Sequence, residues 1–172
     1  MTTWDITHGE ILDIQADGLI CSANPNLNLS GGVGGAFLLR FGTAMQDYLH
    51  DYLRQKKLHY IEPGSAVLAP PFGSPYIAIA HAVAIDAFYD TNAAQIAKTY
   101  SIAIDALAEA GCQSIVAACL GCGYGRCSVD QFAKSIEWLI SRPFAPINKI
   151  TFATTNEQIA NTVRTMIETA KC

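Results

Sequence analysis

The second half of the sequence alternates between short apolar segments and longer amphipathic ones, and this alternation limits the possible folds most strongly. Residues 114–118 and 149–153 are apolar over about one strand length, which predicts buried strands. Residues 92–110 have apolar side chains at helical spacing, and Gly111 follows at the position where glycine commonly ends a helix. Strands that are apolar throughout are typical of a parallel sheet with both faces covered.

The remaining segments extend the same pattern to the whole chain. Further strands are predicted at residues 3–8, 18–22, 65–69 and 76–83, and further helices at 34–41, 43–57, from a cap at Ser128 to about Ser141, and from a cap at Asn156 to about Ala170. We therefore predict an α/β fold, a three-layer α/β/α sandwich around a central mixed, mainly parallel sheet. The length of 172 residues fits one domain over 1–172.

The composition excludes several classes of protein. Hydrophobic residues make up 51% of the chain and charged residues only 15%, so disorder is excluded. The net charge of −4 shows no basic excess, and we expect no duplex nucleic acid as a partner. The apolar runs are too short to span a membrane, and the first residues lack the pattern of a signal peptide, so we expect a cytoplasmic protein. The high apolar fraction leaves weak self-association open.

The six cysteines predict thiols rather than a metal centre. Cys119, Cys122 and Cys127 have spacings that resemble half of a zinc site, but no second pair lies at a matching distance. We predict small buried or loop thiols, with no metal and no cofactor.

A glycine-rich loop follows the predicted strand 18–22 and leads into a helix. This first glycine-rich loop, residues 21–36, has four glycines in the five positions from Gly31 to Gly35, which lets the backbone approach a ligand closely. The helix that follows presents free N–H groups and the positive end of its dipole. The combination predicts an anion site of the phosphate type.

A second glycine-rich loop, residues 120–126, follows the predicted strand 114–118 and also leads into a helix. Neither loop matches the Walker motif or the Gly-x-Gly-x-x-Gly fingerprint. Either loop alone could equally be a tight turn. Because both lie at strand-to-helix junctions, the pair favours a site for a diphosphate.

Four segments, in this order and spacing, resemble the macrodomain family of the Appr-1''-p processing type: residues 9–12, 22–36, 79–83 and 120–125. The resemblance covers nearly the whole chain and implies a module that binds ADP-ribose or an ADP-ribosylated molecule. It also implies a role for each matching position. Glu10 and the Ile11 backbone would contact adenine, and Asn24 the distal ribose. The remaining implied ligand-binding residues are Gly31, Gly32, Val33 and Gly34 in the first loop, and Gly121, Cys122, Gly123, Tyr124, Gly125 and Arg126 around the diphosphate.

The sequence departs from the family pattern at several of these positions. Glu10 replaces an Asp at adenine, Ser30 replaces the first glycine of a triple, and Thr155 stands where many relatives have an aromatic residue. Gly34 and Gly125 stand where two hydrolytic branches have acidic residues, and a glycine has no side chain to activate water. The lysine nucleophile of one branch falls near His81 or Ala82, and neither is a lysine.

Few side chains remain as candidates for chemistry. Asn24 and His81 are the candidate catalytic residues, although a lone histidine in an apolar strand is more often part of the core. The N–H donors around Cys122 would lower its thiol pKa, although a packing role is the more common one. The leading hypothesis is binding of ADP-ribose. The alternatives are hydrolysis of an ADP-ribosyl bond to protein, nucleic acid or an O-acetyl group, with help from the substrate's own phosphate, and a sensor module whose cleft has decayed.

Overall fold

A computed structural model describes residues 1–170 of the chain. Six strands form one sheet: β1 Thr3–His8, β2 Gly18–Ser22, β3 Ser65–Ala69, β4 Ala78–Val83, β5 Ser114–Ala118 and β6 Lys149–Thr154. Five α-helices surround it: α1 Gly32–Phe41, α2 Ala44–Lys56, α3 Ala93–Glu109, α4 Val129–Ile140 and α5 Glu157–Ala170. A short 3-10 helix, Ile11–Asp13, lies between β1 and β2.

The sheet is mixed and mainly parallel, as predicted. Its strand order is β1-β6-β5-β2-β4-β3, and β3 alone runs antiparallel to its neighbour β4. Every residue of β4 is buried, which agrees with a central strand covered on both faces.

Two hydrophobic cores lie on opposite faces of the sheet and confirm the three-layer sandwich. On β2, Leu19 and Cys21 face the core that includes Phe37 of α1 and Met45 of α2. Ile20 faces the other core, which is formed with α3, α4 and α5. The alternation along β2 follows the two-residue period of a strand.

The predicted elements match the observed ones closely. Strands 3–8, 18–22, 65–69 and 114–118 have the predicted bounds, whereas β4 begins two residues later than predicted and β6 ends one residue later. Helix α1 begins at Gly32 rather than at Gly34. Ser128 Oγ accepts a hydrogen bond from Gln131 N at 3.2 Å and Asn156 Oδ1 accepts one from Ile159 N at 3.1 Å, so both predicted caps are present.

The sequence predicts thiols at the cysteines and no membrane-spanning segment. The five described cysteines are free thiols, and Cys172 lies outside the described residues. Within residues 1–170, no helix combines the length and hydropathy that a membrane span requires.

Candidate functional site

A groove runs along the edge of the sheet where the parallel strands end. Three neighbouring cavities form it, which we call the first, second and third cavity, with volumes of about 580, 310 and 840 Å³. The walls of the first and second cavities share Ser22, Gly31, Gly123 and Tyr124. The walls of the second and third share Asn24, Asn28, Leu29, Ser30, Ile85 and Tyr89. The three cavities are therefore adjacent, at the place where α/β sheets commonly bind ligands.

The first glycine-rich loop is held closed by its own side chains. The amide of Asn24 donates a hydrogen bond to Asn28 O at 2.8 Å and accepts one from Asn28 N at 3.1 Å. Leu27 has φ 55° and is fully buried, so packing supports a left-handed backbone that a leucine rarely adopts. Contacts within the protein itself thus define the shape of the loop.

Helix α2 supports the same loop through two polar side chains, which sequence reasoning did not identify. Gln46 accepts a hydrogen bond from Leu29 N at 2.7 Å and donates one to Leu27 O at 2.9 Å. His50 Nε2 lies 2.9 Å from Asn28 Oδ1 and 3.0 Å from Gln46 Nε2. The signal in the sequence was the spacing of Gln46 and His50, four residues apart on one helix face.

The start of α1 lies in the wall of the groove and carries backbone N–H donors. Gly31 caps the helix without a side-chain bond, and Gly32 has φ 54°. Across residues 1–170, the N–H groups of Gly32, Val33 and Gly34 have no acceptor, as expected for a helix start. These donors and the helix dipole suit an anion.

The second glycine-rich loop is shaped by close backbone contacts. Gly121 has φ 77°, and a Cβ at Gly125 would lie 2.3 Å from the carbonyl oxygen of Gly121. In the described part of the chain, the N–H groups of Gly123, Tyr124 and Gly125 have no acceptor. The loop therefore carries a second set of such donors, on residues that line the first and second cavities.

Tyr100 of α3 anchors the second loop from inside the core. Its hydroxyl donates a hydrogen bond to Ala118 O and accepts one from Leu120 N at 2.9 Å. The side chain is fully buried, and burial raises the pKa of its hydroxyl well above the usual value. The bonds fix the end of β5 against the start of the loop.

Tyr124 connects the two loops across the groove. Its hydroxyl would lie 2.6 Å from a Cβ at Gly31, so the tyrosine rests directly on the glycine of the first loop. Tyr124 is 75% exposed. Because Tyr124 lines both the first and the second cavity, it marks the boundary between them.

The first cavity lies at the ends of β1 and β6. Glu10, Ile11, Val33 and Thr155 are among the residues that line it, together with the edge of Cys122. His8 Nε2 lies 3.0 Å from the carbonyl oxygen of Thr155 and ties the two strand ends together. Ile11 belongs to the 3-10 helix that the sequence analysis did not predict.

The third cavity lies beyond the first glycine-rich loop, and the turn 86–90 forms one of its walls. Asp86 Oδ1 accepts hydrogen bonds from Phe88 N at 2.8 Å and Asp90 N at 2.9 Å. Tyr89 has φ 65°, and its carbonyl oxygen accepts a hydrogen bond from Arg126 N at 3.0 Å. The second glycine-rich loop thus holds Tyr89 in a conformation that is unusual for a bulky residue.

The thiols beside the second loop differ from the prediction. We expected the surrounding N–H donors to lower the pKa of Cys122, and this was wrong. A hydrogen bond with Cys127 and burial instead raise the pKa of Cys122, while the same contact lowers the pKa of Cys127. Burial raises the pKa of Cys119 to about 12. Cys122 therefore remains a thiol in the wall of the first cavity.

Two candidate residues lie away from the cavity walls. His81 is 2% exposed, and its Nε2 lies 3.2 Å from Met45 Sδ in the core beneath the sheet. Burial lowers the pKa of His81 to about 4, so it is neutral near pH 7. Arg126 has its guanidinium 3.7 Å from the carboxylate of Asp90. Neither residue lines any of the three cavities.

The structure brings the other candidate residues together. Glu10, Ile11, Gly32, Val33 and Cys122 line the first cavity, Asn24, Gly34, Gly121 and Gly125 line the second, and Gly31, Gly123 and Tyr124 line both. Among residues 1–170, no group of three or more His, Cys, Asp or Glu side chains is placed to hold a metal ion.

Residues 20–136 match a family model described as Macro domain. Among solved structures, a single-residue variant of the Oceanobacillus iheyensis macrodomain with ADPR is similar, with 14% identity, a TM-score of 0.84, and 98% of this chain and 93% of that chain covered. The macrodomain of the same organism with ADP has 16% identity and a TM-score of 0.83, with 98% and 91% covered.

A macrodomain of Trypanosoma brucei in complex with ADP-ribose has 18% identity and a TM-score of 0.76, with 95% of this chain and 68% of that chain covered. Identities this low show a shared fold. No curated protein matches the sequence.

Proposed function

This chain belongs to the macrodomain family, and from that membership we propose that its groove binds ADP-ribose or an ADP-ribosyl derivative. The observation that carries the proposal is that both glycine-rich loops line the same adjacent cavities and, among the described residues, leave backbone N–H groups there without an acceptor. Backbone donors at helix starts bind phosphate oxygens without a basic side chain. The ligands named for the Oceanobacillus and Trypanosoma structures fit a groove of this kind.

The order of the cavities supports an orientation for the ligand. We assign the adenosine to the first cavity, where Glu10 and Ile11 lie beside the adenine. The diphosphate lies between Val33 and Gly123, where the two loops approach each other. The distal ribose enters the second cavity beside Asn24. Arg126, which is paired with Asp90, holds the turn 86–90 rather than the ligand.

Titration calorimetry with ADP-ribose tests this proposal. Nothing lies within 4 Å of a Cβ built at Gly123, so Gly123→Asp places a carboxylate at the diphosphate without a clash. We expect that variant to bind ADP-ribose at least about tenfold more weakly, because like charges repel at short range. Gln55→Glu, on the exposed face of α2, adds the same charge away from the groove and serves as the control. Wild-type protein that gives no heat with ADP-ribose at high micromolar concentration contradicts the proposal.

We propose binding in preference to hydrolysis because of the second cavity. Among the described residues that line it there is no carboxylate, histidine or lysine, and the amide of Asn24 is bonded to Asn28. Hydrolysis would then rely on the ligand's own phosphate. Incubation with ester-linked, N-glycosidic and DNA-linked ADP-ribose distinguishes the two, since steady release that is lost in Asn24→Ala would indicate an enzyme.

We also propose that the protein acts in the cytoplasm. That compartment is reducing, and thiols such as Cys122 and Cys127 remain free there. Fractionation of the source cells with an antibody to the protein tests this location.

A further inference from the structure

The third cavity is the largest of the three, and the orientation proposed above places no part of ADP-ribose in it. It measures about 840 Å³ and adjoins the second cavity, to which we assigned the distal ribose. Asn24, Ser30 and Tyr89 line both cavities. A group joined to the distal ribose at its anomeric carbon would therefore extend into the third cavity.

The walls of the third cavity combine negative charge with aromatic rings. Glu62 and Asp86 are its charged residues, and among the described residues that line it there is no lysine or arginine. Tyr60, Phe88 and Tyr89 present aromatic side chains that are 52%, 74% and 49% exposed. A flat cation fits such walls, because carboxylates pair with it and aromatic faces attract it.

The carboxylate of Asp86 is held in place through only one of its two oxygens. Its Oδ1 accepts the two backbone hydrogen bonds of the turn 86–90, and Oδ2 makes none with the described residues. Two cationic side chains lie in neighbouring segments: Arg126 is paired with Asp90, and Lys98 Nζ would lie 3.2 Å from a Cβ at Gly64. Neither lines the third cavity, so Oδ2 of Asp86 is available to a ligand.

We propose, on the basis of the ADP-ribose binding proposed above, that the third cavity holds the guanidinium group of arginine-linked ADP-ribose. The guanidinium is planar, always charged and able to donate two parallel hydrogen bonds to a carboxylate. Glu62 and Asp86 supply the carboxylates, and the rings of Tyr60 and Phe88 supply aromatic faces. The site thus selects the residue type to which ADP-ribose is attached.

The same walls disfavour the other common attachment partners. A nucleic acid would bring phosphates toward Glu62 and Asp86, and like charges repel. A serine or acyl linkage is neutral and would leave both carboxylates without a partner. Only a cationic attachment gains from the charge of the cavity.

Affinity measurements with three ligands test the inference: ADP-ribose, a peptide ADP-ribosylated on arginine, and the same peptide with ADP-ribose on serine. We expect the wild-type protein to bind the arginine-linked peptide about tenfold more tightly than the serine-linked one, and this preference to shrink between about 50 mM and about 500 mM salt. Equal affinity for the two peptides, in protein that binds ADP-ribose, overturns the inference and leaves the proposed function intact. A protein that does not bind ADP-ribose overturns both.

Matched variants assign the preference to the two carboxylates. Glu62→Gln keeps the shape of the side chain, and Asp86→Asn keeps the oxygen that accepts the bonds of the turn. Each variant should reduce the preference for the arginine-linked over the serine-linked peptide about threefold, the effect expected from losing one exposed ion pair. The affinity for ADP-ribose should remain unchanged. Asp105→Asn, on the exposed face of α3, removes the same charge elsewhere and should change nothing. An arginine preference that survives the double variant also overturns the inference.

Discussion

Tyr100 and His81 are buried polar side chains with different consequences for the groove. The Tyr100 hydroxyl makes two hydrogen bonds to the backbone at Ala118 and Leu120, where the second glycine-rich loop begins. His81 lies in β4 against Met45, and its Nδ1 has no partner within the described chain. A satisfied buried group specifies local geometry, whereas an unsatisfied one costs stability. Tyr100 is therefore a positioning residue for the groove, and His81 is a weak point of the core.

His81 should make the stability of the protein depend on pH. The pKa of His81 is about 4 in the folded protein, against an ordinary value of 6.5 that applies to the unfolded chain. The unfolded chain therefore binds the proton more tightly. Stability is then highest above pH 6.5 and falls as the pH decreases toward 4. Between about pH 7 and pH 5 we expect a loss of about 2 kcal/mol from this group alone.

Urea unfolding at both pH values measures this loss. His81→Leu should remove about 2 kcal/mol of the pH dependence, whereas His59→Asn, at an exposed position, should leave the pH dependence as it is in the wild type. An unchanged pH dependence in His81→Leu would show that the histidine is not buried in its neutral form.

At the scale of the element, the second glycine-rich loop depends on one close backbone contact. Gly125 packs against the carbonyl group of Gly121, and Gly121 itself needs φ 77°. In contrast, a Cβ at Gly123 has open space around it. The two glycines are thus required for different reasons: Gly125 for the shape of the loop, and Gly123 for access of a ligand.

Alanine at these two positions should therefore have different effects on stability. Gly125→Ala places a methyl group 2.3 Å from a backbone oxygen, which must move. We expect it to lower the free energy of unfolding by about 2 kcal/mol, as overpacking does. Gly123→Ala should change it by less than about 0.5 kcal/mol. Denaturant titration of both variants measures the difference, and equal effects would contradict the loop geometry described above.

The elements show what sequence alone could and could not predict. The strands and helix caps were predictable because apolar periodicity and capping residues act locally. The position of Tyr60 and Glu62 in the wall of the third cavity was not predictable, because it depends on packing between segments distant in the sequence. Ile61 is buried and donates a hydrogen bond to Pro25 O at 2.8 Å, which brings the segment after α2 beside the first glycine-rich loop. The need for a glycine at position 34 also depends on packing, because a Cβ there would lie 2.9 Å from the Leu29 side chain.

At the scale of the whole molecule, the low content of charged residues extends to the groove. Charged residues make up 15% of the chain, and none of the described residues that line the three cavities is a lysine or an arginine. A diphosphate would be bound by fixed N–H dipoles of the two loops and by the start of α1. Such donors carry no net charge, so they attract few counterions that binding must displace.

The affinity for ADP-ribose should therefore depend only weakly on salt. A site built from lysine and arginine loses affinity steeply as salt rises, because exposed charges are screened. Here we expect the dissociation constant to change by less than about threefold between about 50 mM and about 500 mM sodium chloride. Titration calorimetry across that range measures it, with Arg126→Gln as a control that removes the cation paired with Asp90. A steep salt dependence that disappears in Arg126→Gln would instead place that guanidinium on the diphosphate, because no other cationic side chain of the second glycine-rich loop is available.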